Sequence, residues 1–168
     1  ISSVEDVSKL IEAGADKVSI NSSAVKRPEL ITEIAETFGS QCVVVAIDTK
    51  CEDSEWKVFV NGGRKATGLN TVEWAQQVEE KGAGEILLTS MNNDGTKAGF
   101  AIDITDQVSS SINIPVIASG GAGSKKHFKN VFEQTKATGG LAASIFHYGE
   151  IPIPELKNYL KEQKIAIR

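Results

Sequence analysis

Five short apolar runs recur along the chain, each closing on a small or polar residue. They are KVSIN to Asn21, VVVAID to Asp48, EILLTS to Ser90, PVIASGG to Gly121, and GLAASIF to Phe146 with Ser144 inside it. A helix-length amphipathic segment separates each run from the next. Continuous apolar runs are expected of strands buried on both faces, which is what a parallel sheet requires. Strands alternating with helices read as βα units. Such folds place their chemistry at the C-terminal ends of the strands, so the polar residues there are the first candidates for function.

The pattern predicts strands over 17–21, 42–48, 85–90, 115–119 and 140–145. It predicts helices over 2–13, 28–39, 71–81, 102–110, 125–134 and 153–162. Ser2 and Ser3 precede Glu5 and Asp6 in a capping-box pattern, and Val4, Val7, Leu10 and Ile11 share one helix face. The segment EWKVFVNGGRKAT carries two alternating stretches around Asn61-Gly62, a hairpin signal. Because that hairpin, 55–67, follows the end of a strand, it is expected over the catalytic face. Five strands fit part of a (βα)8 barrel, which takes about 250 residues when closed, or an open doubly wound sheet. KVSINSSAV and LAASIFHY each end a strand with Ser or Asn and lead towards a helix. They read either as duplicated phosphate sites of a half-barrel repeat or as chance similarity.

A length of 168 residues is that of one domain. The net charge of −4, with no stripe of Lys and Arg, argues against nucleic acid as a partner. Phosphorylated small molecules stay open, since backbone N–H groups at helix N-termini hold phosphate without cationic side chains. No apolar stretch approaches the roughly 20 residues that span a membrane, and no signal peptide is visible. Cys42 and Cys51 match no metal or redox spacing, so they read as reduced thiols of a cytoplasmic protein. His127 and His147 lack metal-ligand spacing and read as a helix-surface and a loop residue. Neither a metal nor a cofactor is expected. The chain opens on Ile1 with an immediate helix start, where a βα protein would open with a strand. Preceding sequence is therefore expected to be missing.

Asp48 ends VVVAID with an apolar wall on one side and the open face on the other. Desolvation there would raise its pKa and suit it to acid–base work. The alternative is a helix cap or a loop carboxylate bound to Lys50. Asp94-Gly95-Thr96 reads as a common turn, or as a loop whose carboxylate and N–H groups orient a sugar phosphate. Ser119-Gly120-Gly121-Ala122-Gly123 joins a strand to a helix and could cradle an oxyanion. It is not GxGxxG, so no dinucleotide site is read. Asn21-Ser22-Ser23 and Ala143-Ser144 offer similar donors at two other strand ends. Lys17 and Glu85 lie at the opposite, N-terminal ends, where the default role is stability of a barrel floor.

The segments GADKVSINSSAV, FGSQCVVVAIDTK, KGAGEILLTSMNNDGTKAGF, IPVIASGGAG and LAASIFHYGEI closely resemble the cyclase-subunit family of imidazole glycerol phosphate synthases, essentially end to end. A sister isomerase family of histidine biosynthesis shares the barrel, the phosphate sites and a DGT loop; LAASIFHYGEI and QCVVVAID look more like the cyclase. The resemblance implies a (βα)8 barrel that joins ammonia to phosphoribulosyl-formimino aminoimidazole carboxamide ribotide. The products are imidazole glycerol phosphate and aminoimidazole carboxamide ribotide. Ammonia would come through the barrel from a glutaminase partner docked at the N-terminal face. By residue, the resemblance implies that Asp48 is one of two catalytic aspartates and that Asn21 and Ser22 hold one phosphate. Asp94, Gly95, Gly121, Ala143 and Ser144 would form the second phosphate and substrate rim. Lys17 and Glu85 would belong to a charged gate, Gln41 would line the ammonia path, and Asp16 would face the glutaminase.

Against that family the chain, 1–168 as one partial barrel domain, is expected to lack the first three strands and the other catalytic aspartate. Position 92 is Asn where the family often has Asp. Two further expectations follow: the isolated chain is inactive, and its unpaired strand edges lead it to self-associate.

Overall fold

The computed structural model, which describes residues 1–168, joins seven strands into one sheet. The strands are β1 (Val18–Ile20), β2 (Val43–Glu52), β3 (Glu55–Val60), β4 (Lys65–Asn70), β5 (Glu85–Ser90), β6 (Val116–Ser119) and β7 (Gly139–Leu141). Five of them pair in parallel, in the spatial order β1-β2-β5-β6-β7. The helices are α1 (Val4–Glu12), α2 (Ser22–Lys26), α3 (Glu29–Phe38), α4 (Thr71–Glu80), α5 (Ile102–Ser111), α6 (Lys125–Gln134), α7 (Ser144–His147) and α8 (Ile153–Glu162). A parallel sheet with flanking helices is the arrangement of a partial (βα)8 barrel.

Local chemistry accounts for the element ends. Ser3 accepts the Asp6 N–H and Asp6 accepts the Ser3 N–H, so the capping box forms as the sequence predicts. Within α1, Val7 is fully buried while Leu10 stays 40% exposed. Asn70 caps α4 by accepting from the N–H groups of Val72 and Glu73.

Burial follows the period-two rule of a strand. On β2, Val43, Val45, Ile47 and Thr49 are buried against the helices, whereas Ala46, Asp48 and Lys50 are only partly covered. Register carries this alternation across the sheet. Ala46 lies opposite Leu87 and Leu87 opposite Ile117; Asp48 lies opposite Thr89 and Thr89 opposite Ser119. The helix-side core holds Ile34, Ile47, Trp74, Ile86, Leu88 and Ile104. A second cluster around Phe128, Ile145 and Leu160 joins α6, α7 and α8.

Three expectations are corrected. The apolar runs are not buried on both faces: helices cover one face, and on the other Ala46, Leu87 and Ile117 are partly exposed and Leu141 is 42% exposed. The strand expected over 140–145 is only Gly139–Leu141, because Ser144 already opens α7. The hairpin is a three-stranded ribbon, because β2 runs on past Asp48 to Glu52 and pairs antiparallel with β3 over Asp48–Glu52. Its first turn, Asp53-Ser54, has both φ values positive, 52° and 65°, as a type I′ turn requires.

Candidate active site at the C-terminal ends of the strands

Asp48, Thr89 and Ser119 form a polar row across three neighbouring parallel strands, directly above the apolar row Ala46, Leu87 and Ile117. Asp48 therefore has hydrocarbon beneath it and polar groups beside it. Its carboxyl is held above the ordinary aspartate range, chiefly because half-burial penalises the charge. The nearby Asp94 carboxylate pushes in the same direction, and a hydrogen bond from Asn21 opposes both. That bond runs from Asn21 Nδ2 to Asp48 Oδ2 at 3.0 Å, and Asn21 Oδ1 is buried with no partner. Lys50 does not bind Asp48; it pairs with Glu52 at 2.8 Å. The side chain is thus neither a cap nor a loop carboxylate.

The flanking residues come from the two outermost parallel strands, and the local plan is the same at both. β1 leads into α2 with Ser22 as its first residue, and β7 leads into α7 with Ser144 as its first residue. The similarity of KVSINSSAV and LAASIFHY thus has a structural counterpart. First-turn N–H groups of a helix lack intrahelical acceptors, so both ends present donors. Ser22 Oγ also accepts the Asn61 N–H at 2.9 Å, which ties the tip of the ribbon to this rim.

Between them the loop after β5 and the glycine turn after β6 are locked together. Gly99 N–H donates to Gly121 O at 2.7 Å. Asn93 Nδ2 donates to Gly99 O at 2.9 Å, and Ser90 Oγ donates to Asn93 Oδ1 at 2.9 Å. A Cβ on Gly121, where φ is +97°, would sit 2.1 Å from Gly99 O; one on Gly120 would sit 2.6 Å from Ser90 O. The glycines of SGGAG are therefore required first by loop-to-loop contact, whatever they bind. Asp94 and Gly95 are exposed on the loop so fixed.

Asn92 has its own explanation. Its Oδ1 accepts the Cys51 N–H at 2.8 Å and its Nδ2 faces Cys51 O at 3.5 Å. Only an amide offers both an acceptor and a donor there; a carboxylate would meet the carbonyl without a proton. Sequence reasoning missed this bond, and it missed Thr89. Reading EILLTS with a period of two in step with Asp48 would have found Thr89. It also placed His127 on the helix surface, whereas the ring is partly buried and its Nδ1 accepts the Gly123 N–H at 3.0 Å.

At the opposite end of the sheet, Lys17 Nζ and Glu85 form an ion pair that reaches over β2. Glu85 is mostly buried and Lys17 half-exposed. Gln41 is exposed and donates to Phe38 O at 3.2 Å; Asp16 is exposed in the turn before β1.

A family model described as histidine biosynthesis protein matches residues 1–152. The imidazole glycerol phosphate synthase subunit HisF of Hydrogenobaculum sp. (strain Y04AAS1) is 61% identical over 169 aligned positions, covering all of this chain and 67% of the relative. The chain belongs to the HisF family. HisF from Clostridium botulinum (strain Okra / Type B1) is 55% identical, and that of the Langeland strain 54%, with the same coverage. The cyclase resemblance thus prevails over the isomerase one, and Asp48 stands in a chain of the cyclase subunit of histidine biosynthesis. No helix is long and apolar enough to cross a membrane.

Proposed function

We propose that this chain supplies the Asp48 side of a cyclase site. There ammonia adds to a phosphoribulosyl-formimino aminoimidazole carboxamide ribotide to give imidazole glycerol phosphate and aminoimidazole carboxamide ribotide. The observation that carries the reading is the polar row with Asp48 bonded to Asn21 and raised in pKa by burial. Burial shifts the Asp48 carboxyl towards its protonated form, which suits a group that gives and takes a proton during ring closure with loss of an amine. The substrate carries a phosphate at each end. Asn21 and Ser22 are suited to hold one, and Gly121, Ala143 and Ser144, with Asp94 and Gly95 at the rim, the other. Ser119 and Gly120 bring the glycine turn up to Asp48's row.

On this proposal the glutaminase docks at the N-terminal face, where Asp16 is exposed and Lys17, Glu85 and Gln41 border the ammonia entry. The chain acts as one partial barrel domain in the cytoplasm, consistent with two unpaired cysteines. On this proposal turnover needs a second acid–base group that the family's first strand carries, and the chain by itself is expected to be inactive. The experiment is ammonia-dependent turnover of the ribulosyl substrate, with this chain alone and with a separate segment carrying the family's first three strands. Activity in the mixture alone is the expected result. Turnover of the isomerase substrate instead, or of neither in an assembled mixture, overturns the proposal.

A further inference from the structure

His127 lies in the first turn of α6, outside the row of Asp48, Thr89 and Ser119. Its Nδ1 accepts the N–H of Gly123, the last glycine of the turn after β6. A Cβ built on Gly99 would stand 3.6–3.8 Å from the imidazole, so the ring also flanks the loop after β5. Gly123 itself presses on that loop: a Cβ there would come within 2.4 Å of Lys97 O. One ring thus braces the two loops that carry Asp94, Gly95 and Gly121. An imidazole that accepts through Nδ1 keeps its proton on Nε2. A cavity of about 300 Å³ adjoins the ring, and Lys126 is the other charged or titratable side chain lining it. From the facing loop the nearest cation is Lys97, whose ammonium is held by Glu150 at 2.6 Å.

We infer that His127 is a positioning residue for the glycine turn: as the neutral Nε2–H tautomer it holds the Gly123 amide and so sets the distance between the turn at 120–123 and the loop at 94–99. The inference deepens the proposed function, because it rests on those loops forming the second phosphate rim. Protonation would convert Nδ1 from acceptor to donor and leave two N–H groups facing each other, so the brace is a property of neutral His127. Asparagine can present an acceptor near the position of Nδ1; leucine cannot.

The test is nuclear magnetic resonance on the full chain, whose two histidines make assignment direct. Imidazole nitrogen shifts should place the His127 proton on Nε2 at high pH. The Gly123 amide should then move with the His127 titration. In His127→Asn the Gly123 amide should stay protected from exchange, and in His127→Leu it should exchange faster by roughly fivefold or more, the factor a typical hydrogen bond is worth. With inorganic phosphate as probe, the amides of Gly121 and Ser144 should report binding that weakens by a similar factor in His127→Leu and not in His127→Asn. An Nδ1–H tautomer, or a Gly123 amide indifferent to His127, overturns the inference. If His127→Leu does not fold, the wild-type titration and His127→Asn decide alone. Phosphate that moves no amide in the wild type contradicts the phosphate reading, while the tautomer and the Gly123 amide still decide the role of His127.

Discussion

Asp48 gains its character from its burial above the apolar row, from the Asn21 hydrogen bond and from the nearby Asp94 carboxylate. Its native pKa is raised, so the protonated form is favoured by folding. The sign follows from linkage. The stabilising contribution of the bound proton is full below the unfolded pKa of about 3.9 and is lost as pH rises through the native value. Asp48→Asn removes that titration while leaving Asn21 a neutral partner. We expect the variant to gain stability relative to wild type between pH 4 and pH 7, read by denaturant unfolding, and to abolish turnover in the reconstituted assay. A stability difference that stays flat across that range contradicts the burial of this carboxyl.

At the scale of elements, the glycine turn and the β5 loop form one interlocked unit. Gly121→Ala forces a side chain into left-handed backbone, a cost of about 1–3 kcal/mol, and drives a methyl into the Gly99 carbonyl. Gly62→Ala meets the same kind of backbone, φ +65°, but open space. We expect Gly62→Ala to cost about 1 kcal/mol and Gly121→Ala several times more, measured by thermal unfolding. Strands β1, β2, β5 and β6 and the six longer helices were legible as apolar runs and amphipathic faces; β7 was not, because the run read over 140–145 turns into α7 at Ser144. The short helices α2 and α7 were not, since four or five residues hold no period. The Asp53-Ser54 turn lacks the glycine that announced Asn61-Gly62. At the site, the desolvation of Asp48 was legible because it ends the apolar run VVVAI. The bonds of Asn92 and His127 were not, because they depend on neighbours brought close only by the fold, as with Asn92 and Cys51.

For the whole molecule, the governing feature is a parallel sheet with helices on one face only. β1 and β7 end it with unpaired backbone on their outer sides; the uncovered face leaves Leu87 and Ile117 partly exposed, and Leu141, level with Ser119 on the edge strand, is exposed. Exposed parallel edges next to an apolar face favour pairing with another chain. We expect the chain to sediment as a dimer or larger species at micromolar concentration, and the added segment with the family's first strands to dissociate it. A monomer at that concentration, unchanged by the segment, contradicts this account of the open face.

The central claim is that Asn21, Asp94 and the apolar row together set the proton affinity of Asp48, and it is tested most directly by titrating that one carboxyl. Carbon-13 NMR of the Asp48 side chain, in the wild type and in two variants, separates the three influences. The account predicts a wild-type midpoint above the ordinary aspartate range, a higher one in Asn21→Ala, where the opposing hydrogen bond is gone, and a lower one in Asp94→Asn, where the neighbouring negative charge is gone. A wild-type midpoint at or below the ordinary range, or one that neither substitution moves, would contradict it.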